Sequence, residues 1–355
     1  MKSFFRNFAS IMMEKITIIF IINPIAGTND KDGIPGMIGR YIDKSKFNYE
    51  IVFTKYAGHA SDIAKKAIEK GVNVVVAVGG DGTINEVARE LVQTSVAFGI
   101  IPCGSGNGLA RHLFIPIDTK KAIEIINNYE VHALDYGIIN DMPFFCTCGM
   151  GFDAFISLKF AMAGKRGPIT YAENVLKEGL KYKPETYEIV DESGTQSYKA
   201  FLISCANASQ YGNNAYIAPQ ASMRDGLLDV IIMEPFDILE APQISIDLFN
   251  KTLDKNSKIK TFRTKKLHVH RSKPGVIHYD GDPIMTGADV DISIVDKGIN
   301  VIVNPNVDKT ERQPNAFQTA FSDFFNNLTM IREDISKQSK HLQEINKLLL
   351  KKLNK

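Results

Sequence analysis

Three apolar, β-branched runs, each broken off by a glycine turn, limit most tightly what this chain can fold into. Ile16–Ile22 ends at Asn23-Pro24-Ile25-Ala26-Gly27, and residues 72–78 end at Gly79-Gly80-Asp81-Gly82. Residues 96–101 end at Pro102-Cys103-Gly104-Ser105-Gly106-Asn107-Gly108. Runs with almost no polar residue (Asn73 is the exception) fit strands covered by helices on two sides, as in a parallel sheet. A further short strand is expected over residues 49–54. Helices are expected over residues 61–70, over 83–92, and from Gly106 to Leu113. In the second of these Ile84, Val87, Ala88, Leu91 and Val92 make one apolar stripe. If the strands are parallel, all three glycine turns leave the sheet at its carboxyl edge, where α/β folds take their ligands.

Past residue 131 the rhythm changes. Strand-like segments follow one another at 144–148, 187–190, 200–205, 228–233, 267–270, 276–279, 290–295 and 299–303. Glu192-Ser193-Gly194 and Lys297-Gly298 supply turn signals between them. Two helical patches, 154–162 and 171–179, interrupt the series. The expected second lobe is β-rich, a mainly antiparallel sandwich or barrel. At roughly 100–200 residues per domain, a chain of 355 residues suits two, placed at 13–131 (α/β) and 132–303 (β-rich). Residues 304–355 stand apart as a C-terminal helical tail, in which Phe321, Leu328, Ile335, Leu342 and Leu349 recur every seven residues. That pattern suits docking on the first domain, a coiled-coil homodimer, or contact of Lys347, Lys351, Lys352 and Lys355 with an anionic membrane surface.

Composition narrows the function classes. With 44% apolar and 23% charged residues, the chain is neither a disordered nor a disulfide-stapled type. Lys plus Arg is 42 against 40 for Asp plus Glu, so there is no strongly basic balance to neutralise nucleic-acid phosphates. Cys103, Cys146, Cys148 and Cys205 lack C-x-x-C or zinc spacing. They are expected as reduced, mostly buried thiols in the cytoplasm. No apolar run approaches the roughly 18–20 residues of a membrane span. Lys2 and Arg6 precede an apolar stretch, but Glu14 and Lys15 interrupt it, so a first strand near Ile16 is expected rather than a signal peptide.

The Gly79–Glu86 segment carries the most chemistry. Glycines straight after a buried strand let backbone approach a ligand. The helix behind them turns its free N–H groups and positive dipole end into the loop, a setting for phosphate. Asp81 inside such a site repels phosphate unless a divalent cation or a basic side chain lies between them. Its presence therefore points to a magnesium–nucleotide site. Other phosphate signatures are missing: residues 104–109 lack the spacing of a dinucleotide fingerprint, and Gly164-Lys165 is followed by Arg166, so no P-loop exists.

Taken in order, the Gly-Gly-Asp-Gly-Thr-Ile-Asn-Glu segment, the Gly-Ser-Gly-Asn loop and the Asn-Pro-Ile-Ala-Gly opening resemble the diacylglycerol kinase catalytic-domain family. That family includes soluble bacterial lipid kinases and is related to sphingosine and ceramide kinases. The resemblance continues through Pro219, Asp225-Gly226-Leu227-Leu228-Asp229 and Tyr279-Asp280-Gly281-Asp282. It implies an ATP- and Mg²⁺-dependent kinase that phosphorylates a lipid hydroxyl, of diacylglycerol or sphingoid type, from peripheral contact with the inner face of the membrane. Carried over by position, Gly79, Gly80, Asp81, Gly82, Thr83, Ile84 and Asn85 would hold the ATP phosphates, with Asp81 positioning magnesium or the γ-phosphate. Asn23, Thr54, Gly104, Ser105, Gly106 and Asn107 would be further nucleotide contacts. The Asp225 side chain, with backbone carbonyls near Ser222 and Leu227, would hold a structural Mg²⁺. Asp280 and Asp282 would form the acidic pair at the acceptor hydroxyl. Asp280 is the preferred base, since a carboxylate of ordinary pKa, about 3.9, is ionised at neutral pH and accepts a hydrogen bond from an alcohol.

Two departures from the family pattern stand out. Asp282 occupies a position where the family usually has Glu, and Gly108 one where many diacylglycerol-type members have Asp. Gly104 to Ala110 is closer to the sphingosine-kinase style. Alone, Asp280-Gly281-Asp282-Pro283 reads as a hairpin turn. His268, His270 and His278 are expected at solvent-facing strand positions, His59 at a helix start or near the nucleotide, Lys165 and Arg166 in a solvated loop, and Asp153 bracing the cleft. A NAD kinase-like or other small-alcohol kinase, and a non-catalytic nucleotide or lipid sensor, are the alternative readings.

Overall fold

The computed structural model describes residues 15–25, 33–163, 182–237 and 239–305. The expected tail helix, the patch at 171–179, Lys165 and Arg166 lie outside them. β1 (Ile16–Ile22), β2 (Phe47–Phe53), β3 (Val74–Gly79) and β4 (Ala97–Pro102) pair in the order β2-β1-β3-β4, all parallel. β3 and β4 are buried along their whole length. The reason is a helical layer on each face: α2 (His59–Glu69) packs with α3 (Asp81–Leu91), and α1 (Ile34–Tyr41) with α5 (Thr119–Asn128), while the short α4 (Gly108–His112) follows β4. β1 feeds outward to β2, and β2 returns past β1 to β3. Right-handed crossovers then place α1 and α2 on opposite faces and open a crevice at the carboxyl ends of β1 and β3. The sequence pattern did not mark α1, whose eight residues include Pro35, Gly36 and Gly39, all poor helix formers.

The second lobe grows out of the same sheet. β5 (Val131–Ile139), β6 (Met142–Phe144), β8 (Glu185–Asp191), β9 (Gly194–Ala200), β13 (Lys266–Arg271) and β16 (Asp289–Ile302) extend it beyond β4. Facing them is an antiparallel sheet in the order β12-β11-β10-β7-β14-β15, formed by Ile259–Thr264, Leu228–Met233, Leu202–Ala206, Thr147–Gly151, Gly275–Tyr279 and Asp282–Thr286. Ile203, Cys205, Val230 and Ile232 point inward to meet Tyr187, Val269 and Ile292 of the first sheet. The alternate residues Leu202, Ala206, Ile231 and Met233 pack outward with Phe152 and Ile156 of α6 (Phe152–Ala163) and Ile244 of α7 (Ala241–Asn250). Period two with both faces covered explains why β10 and β11 read as largely apolar runs, with Ser204 and Asp229 as the exceptions. The sandwich is the β-rich lobe that the sequence pattern predicts.

One expectation is corrected. Residues 290–295 and 299–303 are not two strands parted by a turn at Lys297-Gly298; β16 runs through both. Its register against β5 shifts between Val295 and Ile299, with Lys297 at φ 50°, so the turn signal marks a β-bulge. The bulge kinks a strand that joins the lobes: β16 pairs with β13 at its start and, in parallel, with β4 at Val301. Asp135 of β5, fully buried, holds the kink by accepting the Lys297 N–H on Oδ1 and the Gly226 N–H on Oδ2, each at 2.8 Å. Asp135→Ala should therefore remove the acceptor of two partly buried N–H groups, at up to about 1–3 kcal/mol each, read as a lower urea midpoint with both lobes unfolding earlier.

Candidate active site

The glycine loops meet at the carboxyl ends of β1, β3 and β4. Asn23 closes the first corner: its Nδ2 donates to Thr83 Oγ1 at 2.9 Å, and its Oδ1 accepts the Ile25 N–H at 3.1 Å. Gly80 and Gly104 touch backbone to backbone; a Cβ on Gly104 would stand 2.6 Å from the Gly80 Cα, so no side chain fits there. Asp81 then binds the second loop, accepting the Asn107 N–H on Oδ2 at 2.8 Å and the Gly108 N–H on Oδ1 at 2.7 Å. Burial pushes the Asp81 carboxyl above its ordinary value, against the pull of those N–H groups. Asn107, buried and left-handed at φ 52°, ties its own loop through both side-chain atoms to Gly104. Thr83, Ile84 and Asn85 are buried, Gly82 and Ser105 are exposed, and Thr54 is buried at the end of β2.

The acidic hairpin closes the opposite wall. Tyr279 pairs with Asp282 across a two-residue turn in which Asp280 and Gly281 have φ 51° and 86°. Two positive φ values and an Asp-Gly pair identify a type I′ turn, so the hairpin reading and the functional reading of this motif coincide. The Asp280 carboxylate turns back onto the β6–β7 corner. It accepts N–H bonds from Phe145 at 2.8 Å, Cys146 at 2.7 Å and Thr147 at 3.2 Å. Burial outweighs these bonds and the nearby Arg89 charge, raising its pKa to about 6. Asp282 is half exposed and paired with Arg89 of α3, Nη2 to Oδ2, at 2.9 Å. The Arg89 guanidinium also lies 4.5 Å from the Tyr279 ring centre. Arg89 thus joins the helix that opens at the glycine loop to the acidic turn. The sequence reading missed it, since an Arg on a helix carries no signal of its partner two hundred residues away.

The two walls also touch elsewhere. The Asn213 N–H donates to the Gly106 carbonyl at 3.0 Å, and Gly212 packs on Gly106. Arg111 Nε braces the same carbonyl at 2.9 Å. A Cβ on Gly108 would stand 3.1 Å from the Tyr211 carbonyl oxygen, which gives the missing carboxylate there a steric reason. Against expectation, His278 does not face solvent. Its side chain is 2% exposed and its Nε2 lies 3.0 Å from Asp153 Oδ2. His268 and His270 are on the accessible face beside Asp289 and Asp291.

At the Asp225 turn the carboxylate is engaged by its own backbone and by an arginine. Asp225 Oδ1 accepts the Leu227 N–H at 3.2 Å, and Oδ2 faces the Arg263 guanidinium at 3.3 Å. Arg263 also binds Asp229 at 3.0 Å and the Gln220 carbonyl at 2.9 Å. Ser222 uses its hydroxyl oxygen on the Arg224 N–H. A Mg²⁺ ion at this turn would need Asp225 to release the Arg263 guanidinium, with carbonyls near Ser222 and Leu227 supplying further oxygen ligands. Among the described residues, no group of three His, Cys, Asp or Glu side chains is arranged to hold a metal.

Comparison with known proteins agrees with this architecture. Residues 17–139 match the diacylglycerol kinase catalytic domain, and residues 147–303 match the YegS C-terminal NAD kinase beta sandwich-like domain. The chain's first lobe is a diacylglycerol kinase catalytic domain. The chain is 27% identical over 232 residues to a probable lipid kinase YegS-like from Chromohalobacter salexigens, covering 64% of this chain and 75% of that one. It is 28% identical over 236 residues to a diacylglycerol kinase from Mycobacterium tuberculosis, with the same coverage of 64% and 75%. A crystal structure of a Bacillus anthracis diacylglycerol kinase superposes with a TM-score of 0.66 at 21% identity, over 83% of this chain and 99% of that one. That likeness is one of fold: a parallel lobe joined to a β-sandwich lobe.

Arg89 makes a signed prediction. Its positive charge favours the ionised form of Asp280, so Arg89→Met should move the Asp280 titration upward from about 6. Carbon-13 NMR of labelled aspartate carboxyls, compared with Asp280→Asn to assign the signal, measures the shift.

Proposed function

We propose that this protein is a lipid kinase that transfers the γ-phosphoryl group of MgATP to a hydroxyl of a membrane lipid, of diacylglycerol or sphingoid type. One observation carries the reading: a buried carboxylate, Asp280, with its pKa raised to about 6, is linked through the Asp282–Arg89 pair to the helix that opens at the glycine loop. The match of the first lobe supports kinase chemistry, and the names of the relatives support a lipid acceptor. Ile284 and Met285 follow Asp282 on the edge strand and are 37% and 62% exposed, apolar surface that suits such an acceptor. No helix among the described residues is long and apolar enough to cross a membrane. The reading includes peripheral contact with the inner face of the bilayer.

Phosphoryl transfer asks for positioning, charge neutralisation and a proton acceptor. In this scheme, N–H groups at the start of α3 and at Ser105 and Gly106 receive the phosphates, and magnesium arrives as part of the nucleotide substrate. The acceptor oxygen forms its bond to the γ-phosphorus as the bond to the β–γ bridging oxygen breaks. The hydroxyl proton passes to Asp280, and ADP leaves. A carboxylate poised near 6 is still largely ionised at neutral pH and is a stronger base than an ordinary aspartate.

Labelled ATP and Mg²⁺ incubated with a total lipid extract should yield a labelled phospholipid, identified by chromatography and mass spectrometry. Label on NAD and on no lipid would favour the small-alcohol reading, and ATP binding without transfer the sensor reading. Asp280→Asn should lower turnover by roughly 10²-fold or more while largely sparing ATP affinity. The wild-type rate should fall as pH drops below about 6, because the carboxylate then takes up the proton it must accept.

A further inference from the structure

The His278–Asp153 pair has no place in the scheme above, yet it sits directly behind the acidic turn. Asp153 lies in the first turn of α6, and its Oδ1 accepts the Ala154 N–H at 2.8 Å. Its Oδ2 meets His278 Nε2 at 3.0 Å and accepts the Tyr211 hydroxyl at 3.3 Å. The other ring nitrogen, His278 Nδ1, accepts the Gly281 N–H at 3.4 Å. An accepting nitrogen carries no proton, so this contact implies the tautomer in which Nε2–H donates to Asp153. The carboxylate and imidazole are 9% and 2% exposed. A Cβ on Gly149 would stand 2.5 Å from Asp153 Oδ2 and 3.2 Å from His278 Nε2, so the pair closes only because β7 has no side chain there.

We propose that His278, oriented by Asp153, is a positioning residue for Asp280: it grips the Gly281 N–H and so holds the type I′ turn that aims the Asp280 carboxylate into the β6–β7 corner. The inference rests on Asp280 being the base of the proposed kinase. Asp280 and Gly281 both need positive φ, and for Asp that conformation is uphill. Three N–H bonds hold the carboxylate from the front; the imidazole holds the next residue from behind. Tyr211, from the segment that packs on Gly108, reaches the same Asp153 oxygen, so the contact between lobes and the acidic turn share one anchor.

The titratable and charged groups around Asp280 are Arg89 of α3, Cys146 and Cys148 at β7, Asp153 of α6, His278 of β14 and Asp282 of β15. Burial holds both thiols well above their usual range, so they stay neutral. Arg89 and Asp282 are bonded to each other, and replacing His278 leaves them in place. Burial is the main cause raising the Asp280 pKa. A turn released from His278 lets water reach the carboxylate, and its pKa should fall toward the ordinary value.

Two substitutions separate positioning from bulk stability. His278→Gln reaches toward Asp153 as Nε2 does, but its shorter-range acceptor for Gly281 is lost. His278→Asn keeps an acceptor at the Nδ1 position. With lipid and MgATP, His278→Gln is expected to lower kcat about tenfold, equivalent to ~1.4 kcal/mol, with the KM for ATP unchanged. It should also move the acid limb of the rate profile down by about one unit. His278→Asn is expected to restore the limb and most of kcat. A limb unmoved in His278→Gln, or equal behaviour of the two variants, would reduce the pair to packing and overturn the proposal. Nitrogen-15 NMR of labelled histidine in the wild-type chain gives a readout independent of turnover. The resonance lost in both variants should show the Nε2–H tautomer, and a proton on Nδ1 overturns the proposal. If the wild type phosphorylates no lipid, the kinase reading fails while the NMR result still decides the ring geometry.

Discussion

The carboxylate of Asp81 makes one structure of two loops. Its oxygens take the N–H groups of Asn107 and Gly108 at 2.8 and 2.7 Å, charge-assisted bonds stronger than neutral ones. They draw the end of β4 against the end of β3, where Gly80 and Gly104 are in backbone contact. Without that negative charge, two sets of outward-pointing N–H groups would crowd one another in a partly dry corner. The electrostatic consequence reaches any ligand. An anion brought to this edge would meet the Asp81 charge as well as the N–H groups of the helix start, and a cation between them would offset the repulsion.

Everything on the second lobe that matters to the site is referred to this corner. Arg89 leaves the same helix that Asp81 begins and reaches Asp282. Asn213 and Gly212 lie on Gly106. Asn207, fully buried, donates to the carbonyls of Asp135 and Phe145, so the corner that receives Asp280 is tied to the strand that leaves the first lobe. β5 pairs with β16 along nearly its own whole length, and the Asp135-held bulge lets one long strand serve both lobes. The acidic turn is thus fixed relative to the glycine loops by covalent strands on one side and by side-chain bonds on the other.

Sequence pattern made the first lobe legible because its strands are buried on both faces and stop at glycines whose spacing repeats. The second lobe was legible as a class but not in detail. Lys297-Gly298 looks alike as a turn and as a bulge, and only the pairing of β16 with β5 on both sides of it decides the matter. His278 looked like an exposed strand residue because its strand alternates, yet α6 covers that face and supplies Asp153. Burial of a polar residue by an element more than a hundred positions away leaves no local trace. Arg89 and Arg263 were invisible for the same reason: a guanidinium declares its partners only in three dimensions.

The two departures from the family pattern are parts of one adjustment. At Gly108 the missing side chain admits the Tyr211 carbonyl, and at Asp282 the shorter carboxylate meets Arg89 directly at 2.9 Å. Both changes lie where the lobes touch, and both replace an acidic reach into the cleft with a contact across it. The cleft accordingly has one carboxylate fewer, and one of those remaining is neutralised by an arginine. Asp280 is then left as the acidic group in this wall without a basic side chain bonded to it, held by three backbone N–H groups instead. Backbone donors favour the charged form of the carboxylate and so offset part of the burial that raises the Asp280 pKa.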